Sequence, residues 1–281
     1  MSTGPIVQVR HICRNYGDLI ALDDVSVDIP AGKFTGLIGP NGAGKSTLLS
    51  IISGFERPVS GQVLLSGKDI TRVASHGRVA LGITRSFQDV EIFPTLTVLE
   101  NVLLGFQGQF GEQLWRLMLT PRAVRRQRDH FIAEALGILE TVGIIDERPD
   151  EKAGNLSYGQ QKLLALARML PTNADLFMLD EPGSGLPRPM VAHIGSLLQR
   201  LAKHYGKSVL LVDHNMELVL DYAEHVIVMH HGKLLAQGSP EYVRHHPEVI
   251  RVYLSRVDQE PQESQESLQA KVHAAEGAPH A

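Results

Sequence analysis

A single cysteine, Cys13, in 281 residues excludes an internal disulfide framework and a cysteine-rich zinc site. No run of about 18 apolar residues occurs, so no segment is expected to cross a membrane on its own. The opening Met1-Ser2-Thr3-Gly4-Pro5 has no basic stretch followed by an apolar one, so no secretory signal is expected. These absences predict a cytoplasmic compartment. Neither sign of charge dominates: 27 Lys and Arg against 31 Asp and Glu leave a formal net charge of −4. That gives no global reason to bind nucleic acid. No internal repeat is visible. What remains is a chain with 43% hydrophobic and 21% charged residues, ordinary for a globular protein. A wholly disordered chain, a collagen-like fibre and a coiled-coil rod are thereby excluded. The length suits one large domain or two small ones.

Apolar and polar residues alternate over 6–10 and 25–29, which predicts two strands. Residues 30–33 read as a turn, and 34–38 as a buried strand entering a glycine-rich loop. A helix is expected over 47–53 and a strand over 61–65, closed by Ser66-Gly67. Another short strand is expected over 83–87. From Val98 to about Leu170 the pattern turns helical. Leu99, Val102 and Leu103 recur at helical spacing, and so do Ile132, Ala135, Leu136, Leu139 and Val142. Strands resume at 176–179, 208–212 and 226–229, with helical patterns between. Strands and helices alternating around a helical block predict an α/β core with a helical subdomain inserted at about 95–170. Residues 5–256 would form the domain. The segment 257–281, rich in Gln, Glu, Ser, Ala and Pro and without aromatics, is expected to be disordered.

The loop Gly39-Pro40-Asn41-Gly42-Ala43-Gly44-Lys45-Ser46, followed by Thr47, fits the spacing G-x-x-x-x-G-K-[ST]. Its glycines let backbone N–H groups turn towards phosphate oxygens, and the following helix aims its positive end at the same place. Lys45 can reach the β- and γ-phosphates, and Ser46 can ligate magnesium. An ordinary glycine-rich turn is the plain alternative. The buried strand before and the helix after disfavour it. The apolar strand 176–179 ends in Asp180-Glu181. Asp180 would meet Mg2+, and Glu181, one residue on, could polarise an attacking water. Two acids after a strand are weak alone and become specific with the phosphate loop upstream.

Leu156-Ser157-Tyr158-Gly159-Gln160-Gln161 precedes that acidic strand and opens a helix. It resembles the ABC signature, usually Leu-Ser-Gly-Gly-Gln. The order of phosphate loop, Gln88, signature, Asp180-Glu181 and His214 is similar to that of the ATP-binding subunits of ABC transporters, from Val7 to Leu254. The resemblance implies a P-loop NTPase core with an N-terminal antiparallel β subdomain and an inserted α-helical subdomain. It implies an ATPase that uses ATP and Mg2+. Tyr16 then stands as the aromatic that stacks on adenine. Gln88 stands as the glutamine that senses Mg2+ and the attacking water, on a loop where the family contacts its membrane subunits. Ser157, Gly159 and Gln160 would serve the γ-phosphate bound by a second ATPase subunit, and His214 would contact the γ-phosphate of its own.

Two positions depart from the pattern. Tyr158 replaces a signature glycine, as in amino-acid importer ATPases of the family. Pro187 follows Gly183-Ser184-Gly185-Leu186 where the dimer-contact loop usually continues with Asp, and it removes a donor and a carboxylate. Finer resemblance is to the ATPases of branched-chain amino-acid importers. It rests on residues 82–88, on the long insert before the signature and on the ending 247–254. The partners implied are a second ATPase subunit, identical or not, the membrane permeases and, indirectly, an extracytoplasmic binding protein. No nucleic acid is implied, and the place would be the cytoplasmic face of the cell membrane. Urea or amide importers share these traits. An exporter ATPase, or a soluble ABC-type ATPase acting on nucleic acid or ribosomes, is the alternative. One cassette without a coiled coil speaks against the soluble form.

Residues 114–119, apolar apart from Arg116, precede Arg122, Arg125, Arg126 and Arg128. A permease or lipid contact is one reading, and a solvated basic face on a family-specific insert is the favoured one. His230 and His231 sit next to each other on a strand and are expected to point to opposite faces, so no transition metal is expected there.

Overall fold

The computed structural model describes residues 4–86, 92–108, 121–144, 149–213 and 216–257. The first two strands, β1 (Pro5–Tyr16) and β2 (Leu19–Pro30), form one long antiparallel hairpin. They join β4 (Ser60–Leu65) and β5 (Lys68–Asp69) in a four-stranded sheet ordered β2-β1-β4-β5. The second sheet has six strands. Its members are β3 (Phe34–Ile38), β6 (Ile83–Arg85), β7 (Leu176–Asp180), β8 (Ser208–Val212), β9 (His225–His230) and β10 (Lys233–Gly238). They run in the order β10-β9-β3-β8-β7-β6, parallel except for β10.

Strands β3, β7 and β8 are buried at every position, as expected of largely apolar strands in a parallel sheet covered on both faces, and the polar Thr35, Asp180 and Ser208 are buried with them. Alternate residues serve two cores. Leu176, Met178, Leu210, Val212, Ile227 and Met229 face helix α1 (Lys45–Ser53) and the inner face of the antiparallel sheet. Phe177, Leu179, Val209, Leu211, Val226 and Val228 face the other way. There they meet α6 (Arg188–Lys203), α7 (Met216–Tyr222) and the inserted helices α3 (Val98–Leu103), α4 (Pro121–Val142) and α5 (Tyr158–Met169). A six-residue α2 (Ser75–Ala80) sits before β6, and α8 (Pro240–Arg244) and α9 (Pro247–Val257) follow β10.

Strand alternation over 6–10 and 25–29 marks only part of each hairpin arm. Register shifts along β1 break the period, most visibly between Val9 and Ile12, so the alternation stops short of the strand ends. Of the expected strand 83–87, Ile83–Arg85 is observed and Phe87 lies outside the described residues. The helix after the phosphate loop starts at Lys45, two residues earlier than the apolar pattern shows. Opposite faces for His230 and His231 were the expectation, and the structure corrects it. His231 takes φ +45° in the turn after β9, alternation ends there, and the two rings lie 4.0 Å apart. Among the described residues no group of three or more His, Cys, Asp or Glu is placed to hold a metal ion. No described helix is long and apolar enough to cross a membrane.

Helix α1 is closed at its far end by a buried cation. Arg78, on α2, is 1% exposed. Its guanidinium donates to the carbonyls of Ile51 (2.5 Å), Ile52 (2.7 Å), Ile70 (2.8 Å), Val73 (2.9 Å) and Thr71 (3.2 Å). Ile51 and Ile52 lie in the last turn of α1, whose carbonyls have no partner within the helix and carry its negative dipole end. Burial pushes the guanidinium down to about 10, which leaves it charged at neutral pH. Arg78→Met removes the donors from five carbonyls, of which those of Ile51 and Ile70 keep a backbone N–H. It should cost about 2–4 kcal/mol of stability, read as a lower midpoint in urea unfolding. An unchanged midpoint would show that the helix end does not depend on this cation.

Candidate nucleotide site

The phosphate loop leaves β3 at the carboxyl edge of the parallel sheet, between strands that connect in opposite directions. Such switch points are where open α/β sheets hold ligands. Gly44 shows why the loop needs glycine. Its φ is +95°, and a Cβ there would stand 2.6 Å from the Ala21 carbonyl oxygen. Lys45 is buried at 7% exposure, and its ammonium donates to the carbonyls of Gly39 (2.8 Å) and Pro40 (3.0 Å). The loop therefore holds its own lysine across its mouth.

An open cleft of about 290 Å³ joins this loop to two other regions. One wall is the 41–47 stretch, with Asn41, Gly42, Ala43, Gly44, Lys45, Ser46 and Thr47. The cleft is also lined by the tip of the β1–β2 hairpin, with Tyr16, Leu19 and Ile20, and by Glu181. Tyr16 is braced from behind. Its hydroxyl donates to the Glu56 carboxylate, and Arg14 lies over its ring at 4.7 Å while pairing with Glu56 at 3.2 Å. Leu19 and Ile20 are 67% and 61% exposed, an apolar surface left open beside that ring. They were missed in the sequence, though two large apolar residues just after a Gly-Asp turn are a legible signal.

Asp180 ends β7 on the face turned towards α1, in step with Leu176 and Met178. Burial raises its pKa, and the Arg85 guanidinium, 3.3 Å away, works against that rise. Arg85 also donates to the Ser50 and Ser53 hydroxyls of α1, each at 3.1 Å. It thus ties the strand carrying Asp180 to the helix after the phosphate loop, a link that sequence inspection does not show. Glu181 has φ +48°, an uncommon backbone for a residue with a side chain, and its N–H donates to the Val212 carbonyl at 2.8 Å. Conformations of this kind gather at functional sites.

Ser157 caps α5, accepting from the Gln160 N–H, while the Gln160 side chain accepts from the Ser157 N–H at 2.8 Å. This reciprocal capping box gives the Gln160 side chain a partner within its own helix. Gly159 packs against α6, where a Cβ would stand 2.2 Å from the Met190 sulfur. Tyr158 is half exposed. Pro187 stands at the N-cap of α6, and its carbonyl accepts from Met190 and Val191. The signature residues do not line the cleft that Tyr16, the 41–47 stretch and Glu181 share. Gln88 and His214 lie outside the described residues.

The family profile described as ABC transporter matches residues 22–184, more than half of the chain. The chain belongs to the ABC transporter ATPase family. A probable branched-chain amino acid transport ATP-binding protein LivG of Archaeoglobus fulgidus is 37% identical over 257 residues, covering 91% of this chain and 97% of the relative. The ADP conformation of MJ1267, an ATP-binding cassette of an ABC transporter, matches with a TM-score of 0.75 and 31% identity. That match covers 90% of this chain and 99% of the other. The dimeric structure of MJ0796, a bacterial ABC transporter cassette, matches at a TM-score of 0.69 and 26% identity, over 83% of this chain and 98% of that one. This ABC protein is accordingly a nucleotide-binding ATPase with a P-loop NTPase fold.

Two substitutions test the cleft. If the base stacks on Tyr16, Tyr16→Ala should weaken ATP about tenfold or more, the scale of one base–aromatic stack. Lys45→Ala should abolish most phosphate binding. Titration with a fluorescent ATP analogue checks both, and wild-type affinity in either variant would place the nucleotide elsewhere.

Proposed function

We propose that this ABC ATPase hydrolyses ATP in the cleft between the β1–β2 hairpin and the phosphate loop to drive import of branched-chain or related amino acids. One observation supports the site above all: Tyr16, the 41–47 stretch and Glu181 line a single cleft. The transported solute follows from relatives such as the archaeal branched-chain amino acid transport protein. Residues 5–256 would act as one ATP-binding unit with a helical subdomain at about 95–170.

Adenine would stack on Tyr16, with Leu19 and Ile20 excluding water at its edge. The phosphates would replace the Gly39 and Pro40 carbonyls as partners of Lys45, under the N-terminus of α1. The donors suited to Mg2+ are oxygens, the Ser46 hydroxyl and the Asp180 carboxylate, and a hard cation prefers such donors. When bound, magnesium neutralises charge on the β- and γ-phosphates. Glu181 is the general base that takes the proton of the attacking water. Gln88 and His214 would orient that water and the γ-phosphate.

The working unit is a head-to-tail pair in which Ser157 and Gly159 of one subunit complete the phosphate site of the other. Two features support it: the signature stands away from its own cleft, and a related cassette is dimeric. The permease would dock near the start of the loop that carries Gln88. A second cleft, of about 300 Å³, opens there between Arg85, Ser86, Leu104 and Arg168. The chain would then sit peripherally on the cytoplasmic face of the membrane.

Glu181→Gln should keep ATP binding and slow turnover by about 10²–10⁴, the loss expected for a positioned base. Hydrolysis near the wild-type rate would remove Glu181 from that role. A chain carrying Lys45→Ala mixed with one carrying Ser157→Ala places both defects in one composite site and leaves the other whole. The mixture should hydrolyse ATP faster than either variant alone. Full wild-type activity at dilutions where no dimer survives would refute the shared site.

A further inference from the structure

Lys162 lies in the second turn of α5, one turn beyond the signature, and is only 6% exposed. Both of its hydrogen bonds leave the helix for main-chain oxygens of the loop after β7: Ser184 at 2.7 Å and Glu181 at 3.4 Å. Its ammonium also lies 5.3 Å from the centre of the Tyr158 ring, one helical turn back on the same face. The Glu181 carbonyl accepts a second bond, from the Ser184 N–H at 3.1 Å. So the carbonyl side of the left-handed Glu181 is held by Lys162 and Ser184, and its N–H side by Val212.

The loop and the signature form one packed body. A Cβ on Gly159 would collide with Met190 of α6, and Leu186 of the loop lies next to it. A Cβ added to Gly185, whose φ is +74°, would stand 3.5 Å from the Tyr158 ring. Among the described residues Lys162 is the α5 side chain bonded to the Glu181 carbonyl, so a displacement of the signature end of α5 reaches the Glu181 backbone through its ammonium as well as through the packed loop. A charged donor on main-chain oxygens makes a hydrogen bond about twice as strong as a neutral one.

We propose that Lys162 is a positioning residue that couples the two ATP sites of the dimer. When the signature of a subunit closes on the ATP of its partner, Lys162 carries that shift to Glu181 of the same subunit, which serves the other site. The inference rests on the head-to-tail pairing above. Its effect belongs on turnover and cooperativity, and ATP binding to the phosphate loop is outside its reach.

The test uses the full chain with Lys162→Met and Lys162→Arg, and reads steady-state ATP hydrolysis, ATP affinity and thermal midpoint. Wild type should show a Hill coefficient approaching about 2, the limit for two sites. Lys162→Met should bring it to about 1 and lower kcat about tenfold, the scale of one lost charge-assisted hydrogen bond. ATP affinity should stay within about twofold, and Lys162→Arg should restore most of both losses. Lys162→Gln gives the same readout if the methionine chain does not fold. Unchanged kcat and Hill coefficient in Lys162→Met would overturn the proposal while leaving the dimer intact. A parallel fall of ATP affinity and midpoint, or no recovery with arginine, would overturn it as well by making the residue merely structural. A wild type with a Hill coefficient of 1 and activity linear on dilution would remove the paired site itself, and the coupling with it.

Discussion

Everything at the candidate site depends on the enclosure of α1. Leu48, Leu49, Ile51 and Ile52 are all fully buried, packed between the antiparallel sheet and one face of the parallel sheet. A helix held on two sides cannot swing, so the N–H groups at its start keep one direction. Its end is closed by Gly54 in the left-handed region and by the Arg78 guanidinium. The phosphate loop inherits this rigidity. Arg85 then carries it to β7 through Ser50 and Ser53, so that Asp180 and the loop are referred to one frame.

The antiparallel layer has a second role. The same hairpin that covers α1 projects Tyr16, Leu19 and Ile20 beyond it, over the loop. The two walls of the cleft thus come from different sheets, and a nucleotide bound there would bridge them. The helical insert lies on the opposite core, against Phe177 and Leu179. Among the described residues, its signature end is hydrogen-bonded to the loop after β7 through Lys162.

Much of this was legible in the residues. Strands 34–38, 176–179 and 208–212 are apolar at nearly every position because both faces are buried, and that run survives any register. The phosphate loop and the acids after β7 are local in sequence, so spacing alone exposes them. Arg78, Arg85 and Lys162 were not legible. Each is a cation whose partners lie 27, 95 and 22 positions away at the longest, and nothing in the residues nearby marks it as buried. Alternation also fails as a guide where the chain leaves the strand, as at His231. The bracing of Tyr16 by Glu56 spans 40 positions and is silent for the same reason.

Arg78 has one further consequence. All five of its acceptors are main-chain oxygens, from Ile51, Ile52, Ile70, Thr71 and Val73. Any of those five side chains can be exchanged without removing an acceptor, because every residue type offers the same carbonyl. The bond set is thus indifferent to its neighbours' identity and wholly dependent on one guanidinium. What limits exchange at those five positions is therefore their own packing, with Ile51, Ile52 and Ile70 fully buried, whereas the bond set itself requires the arginine.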